Sequence, residues 1–343
     1  MSQTCDKAGA APSATEGQAL SLKDNRDSGG SETGASENGN SDNGARETRI
    51  GLLLALAAYC SWGIFPLYFA LLAHVPALEV VAHRIAWSLV LMTLWFLARR
   101  RWAEVWAVLR LPRVFGLLII TGIMVSGNWL TYVWAVGHGQ ATEASLGYFI
   151  VPMVNVATGY LFLKERLSHL QLLAIVLAVA AILLQMVLLG TVPIVSLLLA
   201  FTFGVYGYLR KIVPVGPNLG LLVELIAITP FALGYIVYLQ ASGAGHFQLG
   251  DLVTMGLLIF TGLLTSMPLI WFSGAAKRLN LATVGIMQYI NPSLQFVVAV
   301  FILKESISMS KLATFCLIWL SVAVYSYDAL SKARQRKYSS KTS

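Results

Sequence analysis

From Arg49 onward the chain is a succession of apolar runs separated by short polar loops. The runs fall near 50–71, 79–98, 114–136, 142–163, 170–189, 193–210, 219–240, 252–275, 281–303 and 312–330. Each holds about 18–25 residues, close to the roughly 20 needed at 1.5 Å per residue to cross a hydrocarbon core about 30 Å thick. Inside lipid every backbone N–H and C=O must be satisfied within its own segment, so the pattern predicts ten transmembrane helices. Residues 1–49 have the opposite character. They are rich in Gly, Ser, Asn, Glu and Thr and hold only two leucines, Leu20 and Leu22. A stretch with so little apolar surface cannot offset its ordering entropy, which predicts a disordered cytoplasmic tail. It lacks the apolar core of a signal peptide, so no cleavage is expected. A regulatory tail and a dispensable extension both fit it.

Composition supports the same class. Of 343 residues, 57% are hydrophobic and 12% charged, with a mean hydropathy of +0.71. Soluble domains run near 45–50% apolar and about 25% charged, so this chain has too few polar residues to cover a water-facing surface. The formal net charge of +8 does not point to nucleic acid, because the basic residues cluster in the loops, where they report topology. With the first helix starting inside, the inner loops hold Arg99, Arg100, Arg101, Arg110 and Arg113, then Lys164 and Arg166, then Arg210 and Lys211, then Lys277 and Arg278. The basic tail 331–343 adds Lys332, Arg334, Arg336, Lys337 and Lys341, whereas the outer loops hold only Lys304 and Lys311. This asymmetry predicts an even number of crossings with both ends in the cytoplasm. Cys5, Cys60 and Cys316 fit no metal or redox spacing, so no metal or cofactor is expected.

The chain also resembles itself. At a shift of about 140 residues, Tyr148-Phe149-Ile150-Val151-Pro152 falls on Gln288-Tyr289-Ile290-Asn291-Pro292. The tripeptide Leu163-Lys164-Glu165 falls on Leu303-Lys304-Glu305, and Ser61-Trp62-Gly63-Ile64-Phe65 on Thr202-Phe203-Gly204-Val205-Tyr206. The expected units are 50–189 and 193–330. Each holds five helices, an odd number, so the second copy starts on the opposite side of the membrane. Inverted repeats are the architecture of many secondary transporters, in which one central site opens alternately to each side.

Several of these residues carry a family likeness. Tyr59-Cys60-Ser61-Trp62-Gly63-Ile64-Phe65-Pro66 resembles the first-helix signature of the RarD branch of the EamA transporters, in the drug/metabolite transporter superfamily. His83-Arg84-Ile85-Ala86-Trp87-Ser88, Asn128-Trp129-Leu130, Glu143 through Ile150, and Gln288-Tyr289-Ile290 followed by Pro292 are similar to the same branch. The resemblance covers roughly 49–330 and excludes the tail. It implies ten helices in two EamA-type repeats, an inner-membrane location, and movement of small metabolites or drugs, outward in direction. One departure stands out: Asn291 precedes the ninth-helix proline, but Val151 precedes that of the fourth.

Charge within a bilayer costs about 2.5–3.5 kcal/mol per residue at a helix centre, so the exceptions are informative. Glu79 and His83, four apart on one face of the second helix, are candidate proton acceptors, and Arg84 is a candidate for an anionic substrate group. The competing readings put Glu79 at a helix N-terminus favoured by the dipole and let Arg84 snorkel outward. Glu224, at the position related by the repeat to Arg84, is a candidate coupling carboxylate or inner gate, or a structural hydrogen-bond partner. Trp62, Asn128, Trp129, Tyr132, Tyr148, Gln288 and Tyr289 form a candidate amphipathic lining for an organic solute, each also suited to packing. Trp95, Trp102 and Trp106 suit interfacial anchors. Prolines 66, 152, 230, 268 and 292 fall inside helices, with Pro66, Pro152 and Pro292 the hinge candidates. Gly116, Gly122 and Gly127 suit close helix contact.

No Walker loop, HExxH pair, GxSxG elbow or paired aspartates occur, so the reading is a non-enzymatic carrier with lipid and a small-molecule substrate as partners. Proton exchange is the candidate driving reaction. An uncoupled facilitator and a membrane-embedded enzyme are the rivals.

Overall fold

The computed structural model describes residues 33–163, 167–190, 192–279 and 281–342. Residues 46–343 form one compact unit. Among the described residues every regular element is helical: α1 (Thr33–Gly63), α2 (Phe65–Leu71), α3 (Ala77–Ala98), α4 (Trp102–Leu109), α5 (Pro112–Gly137), α6 (Ala141–Leu163), α7 (His169–Leu189), α8 (Ile194–Ile212), α9 (Pro217–Ser242), α10 (Leu252–Ala276), α11 (Leu281–Met287), α12 (Ile290–Val297) and α13 (Met309–Thr342). Nine of the ten expected segments among the described residues are long and apolar enough to cross a membrane; α6, of 23 residues, occupies the place of the tenth. Large apolar side chains such as Leu53, Val187, Phe231 and Val253 lie on the outer surface, as lipid requires.

Three differences from the sequence expectation have local causes. The backbone of α1 is already helical from Thr33, so 33–49 is not the expected coil; no proline interrupts it, and Arg278 Nε binds Glu47 Oε2 at 2.8 Å. The disorder expected for 1–32 lies outside the described residues, and α13 runs through the expected basic tail to Thr342. The loop carrying Arg99–Arg101 contains the short helix α4, which buries Val105 and Val108 and exposes Trp106. The first and ninth spans are broken. The first stops at Gly63 and resumes at Phe65, with Pro66 in the opening turn of α2. The ninth breaks between α11 and α12 and ends in a π-helical turn, Val298–Ile302. Pro66 has no N–H for the carbonyl of Trp62, and the Gln295 side chain supplies one at 3.2 Å.

Helices α3, α5, α9 and α10 pack together, α6 lies against α8, and α7 lies against α13. The larger core includes Phe69, Met92, Phe96, Leu118, Leu222 and Leu258; a second, of Phe149, Phe296 and Phe315, joins α6, α12 and α13.

Several close approaches recur at the repeat spacing of about 140 residues. A Cβ on Gly63 would strike Leu294, and one on Gly204 would strike Val154. Likewise a Cβ on Gly262 would lie 2.5 Å from the Trp87 backbone, and one on Gly122 would lie 3.1 Å from Ile228. Each glycine in one half thus meets a helix of the other half, and the matching glycine returns the contact. A Cβ on Gly116 or Gly127, also expected at close contacts, would meet no other helix or side chain within 4 Å.

Candidate functional site

Helices from both halves surround a cavity of about 320 Å³. Its wall includes four pairs of residues related by the repeat: Trp62 with Phe203, Phe65 with Tyr206, Val125 with Thr265, and Tyr148 with Gln288. The cavity therefore straddles the relation between the halves. At one end lie Arg84 and Thr265; at the other lie Arg210, Pro217 and Asn218, beside the loop joining α8 and α9.

Arg84 projects from α3 and is 4% exposed. Its guanidinium carbon sits 4.2 Å from the centroid of Trp129 and 5.6 Å from those of Phe65 and Phe69. Such faces attract a cation by their quadrupole, most strongly where water is excluded. Nε donates to Thr265 Oγ1 at 2.7 Å, itself anchored on the Thr261 carbonyl. Among the described residues no carboxylate approaches Arg84 within ion-pair distance.

Asn128 fixes the facing wall. Its Nδ2 donates to the Leu199 carbonyl at 3.1 Å and to Thr202 Oγ1 at 3.0 Å, tying α5 to α8. Its Oδ1 accepts from the Tyr148 hydroxyl at 2.9 Å, so that phenol is held with its oxygen free to accept. The neighbouring Tyr132 hydroxyl is buried with no hydrogen-bond partner.

At the far end Glu224 lies one layer behind the wall, 2% exposed on its side chain. It accepts from Thr121 Oγ1 at 2.7 Å and stands 3.7 Å from Arg210 Nε, with the Tyr206 hydroxyl at 3.5 Å. Gly220, one turn earlier on α9, leaves the space that the Arg210 guanidinium fills. Arg210 also donates to the carbonyls of Gly216 and Pro217.

Of the residues singled out in the sequence, Trp62, Arg84, Asn128, Trp129, Tyr132, Tyr148 and Gln288 meet at the cavity. Glu79, His83 and Tyr289 do not. Glu79 instead clasps the α9–α10 loop: Oε1 accepts from the His246 backbone N–H at 2.6 Å, and Oε2 lies 2.8 Å from His246 Nδ1. The next residue, Phe247, stacks on His83 with centroids 4.8 Å apart. Tyr289 stacks on Phe149 in the second core. Pro66 and Pro292 stand beside breaks in their spans, whereas Pro152 lies inside the continuous α6.

Sequence reasoning missed Arg210, counted there as a loop charge, along with Tyr59, Tyr206, Asn218, Thr265 and Gln295. Repeat alignment of the lining residues would have found Tyr206 and Thr265, since Phe65 and Val125 are their counterparts.

The EamA-like transporter family model matches residues 49–187. The RarD protein of Salmonella typhi is 42% identical over 85% of this chain and 99% of its own length. An uncharacterized transporter of Vibrio cholerae is 42% identical over 83% of this chain and 94% of its own. RarD of Escherichia coli is 40% identical over 85% of this chain and 98% of its own. A solved crystal structure superposes with a TM-score of 0.55 at 19% identity, covering 81% of this chain and 98% of that one, a likeness of fold.

Proposed function

The chain belongs to the EamA-like transporter family, in its RarD branch, and from that premise we propose that it is a secondary carrier exporting small organic metabolites or drugs across the inner membrane by alternating access. The observation that carries this reading is the cavity itself. It is assembled from repeat-related residues of both halves and is walled by aromatic and amide side chains with two arginines. A site on the relation between two inverted halves, 50–189 and 193–330, can be presented to either side by rocking one half against the other.

The loop charges orient both termini to the cytoplasm. In that orientation the Arg210–Asn218 end of the cavity lies inward and the Arg84 end outward. The outward end is covered by the Glu79–His246 clasp and the Phe247–His83 stack, which we assign as the outer gate. Loading from the cytoplasm and release outward follow. Trp62, Asn128, Trp129, Tyr132, Tyr148 and Gln288 are the binding residues, and Tyr289 serves packing. The breaks at Pro66 and Pro292 act as hinges, because an interrupted helix already lacks the hydrogen bonds that would resist bending. Glu224 is the candidate carboxylate for proton exchange, since it can release Arg210 when it takes up a proton.

Flux of candidate metabolites into proteoliposomes, with and without an imposed pH gradient, tests this reading. Saturable flux that accelerates with the gradient and fails in Glu224→Gln is the expected result. Gradient-insensitive flux reduces the protein to a facilitator, and turnover of a membrane substrate without flux sinks the carrier. Reporters at Lys164 and Lys304 should lie on opposite sides of the membrane; the same side for both refutes the inversion.

A further inference from the structure

We infer that the cavity selects an aromatic monocarboxylate, bound with its carboxylate on the in-plane edge of Arg84 and its ring against the aromatic lining. This rests on the carrier reading above for its purpose, though not for its geometry. A guanidinium offers five N–H donors in one plane. Trp129, Phe65 and Phe69 meet Arg84 with their rings, and rings accept no in-plane hydrogen bond. Thr265 Oγ1 takes the Nε donor, and the side chain lines the cavity. Among the described residues no protein oxygen accepts from either Nη group, and a planar pair of oxygens is the partner that the guanidinium fork fits in bidentate fashion.

The charge of the site says the same. Arg210 and Arg84 both line the cavity, but Arg210 has Glu224 and Arg84 has no acid among the described residues. One positive charge stands in excess, so a monoanion neutralises the site, whereas an ammonium meets repulsion and no carboxylate of its own. The rest of the ligand meets rings that line the cavity, among them the neighbours Trp62 and Phe272, with centroids 5.9 Å apart, and Tyr148 and Phe203, with centroids 6.0 Å apart. A volume of about 320 Å³ admits one small ring system with a short acidic arm.

Four probes that differ only in their polar group decide the matter: 3-phenylpropanoate, phenylalanine, 3-phenylpropan-1-ol and 3-phenylpropylamine. Binding is measured by calorimetry on the full-length protein in nanodiscs. The carboxylate should bind about 10- to 100-fold more tightly than the alcohol, the span expected for a charge-assisted bond, with the zwitterion weaker than the carboxylate and the amine undetected. Arg84→Met should erase the preference, and Arg84→Lys should keep part of it. The alcohol, the zwitterion or the amine binding as well as the carboxylate overturns the proposal, as does a preference that survives Arg84→Met. The wild-type series decides without any variant if Arg84→Met fails to fold. Selective binding of the anion with no flux in proteoliposomes upholds this site and defeats the carrier reading. Flux of other solutes without anion preference does the reverse.

Discussion

Arg84 and Glu224 occupy positions related by the internal repeat, yet the molecule treats their charges in opposite ways. Both are buried. Glu224 is surrounded by protein partners, with Thr121, Tyr206 and Arg210 converging on its two oxygens. Arg84 has rings on its faces, one threonine on its edge and no acid among the described residues. The frame repeats but the electrostatics do not, so a satisfied charge can serve the protein's own switching while an unsatisfied one is left for a ligand. A buried pair is costly to break, because removing one partner strands the other. A buried charge that lacks a counterion has no such partner to strand.

The sharpest way to break this comparison is to remove each charge in turn. Glu224→Ala leaves Arg210 without its acid and should cost about 3–5 kcal/mol of stability. Adding Arg210→Met to it should recover most of that loss. Arg84→Met removes an uncompensated charge and should leave stability within about 1 kcal/mol of wild type or above it. Chemical unfolding in detergent micelles, followed by tryptophan fluorescence, measures all three. Equal losses for Glu224→Ala and Arg84→Met would erase the distinction.

The frame itself is tested by glycines. Gly262→Ala drives a methyl against the Trp87 backbone, which cannot rotate away, and should cost about 1–3 kcal/mol. Gly127→Ala meets nothing within 4 Å and should be neutral or stabilising by up to about 1 kcal/mol, through helix propensity alone. If both substitutions behave alike under the same unfolding assay, the crossed contacts between the halves are not close-packed.

Much of this was legible in the sequence, and the reason is periodicity. Hydropathy placed the spans, and the spacing of Gly63 and Gly204, or of Pro152 and Pro292, disclosed the repeat whose contacts the structure displays. Seven of the residues singled out as polar or aromatic exceptions meet at one cavity. What stayed hidden depends on partners far away in the chain. Glu79 reads as a membrane carboxylate until His246 is seen to take both its oxygens. Arg210 reads as a loop charge because it stands in the last turn of α8; only the packing of α9, with the space at Gly220, shows it turned inward. Pro66 and Pro152 read alike as hinge candidates in the sequence, and nothing there tells that the first span breaks at Ile64 while α6 continues through Pro152.

An effect of similar size sharpens the contrast at the break in the first span. Gln295 Nε2 serves both the Trp62 carbonyl, freed by Pro66, and Asn291 Oδ1 at 2.8 Å. Gln295→Leu keeps the volume and removes the donor, and should cost about 1–3 kcal/mol if the carbonyl stays dry. Hydrogen exchange is the discriminating measurement: amides around 62–66 should open more readily in the variant, while those around Pro152 should not change.

The smallest expected effect lies at the surface, where charge is handled by solvent. Asp251 caps α10, its Oδ1 accepting the Thr254 N–H at 3.0 Å, and these hydrogen bonds hold its carboxyl below the usual aspartate range. Because the folded value is depressed, the cap contributes fully above the ordinary carboxylate pKa. Its contribution falls away as pH drops through the lower, folded value. Asp251→Ala should therefore lower the unfolding temperature slightly at pH 7 and have no effect once acid has protonated the wild-type carboxyl. A difference that persists undiminished into strong acid would assign the role to packing and not to charge.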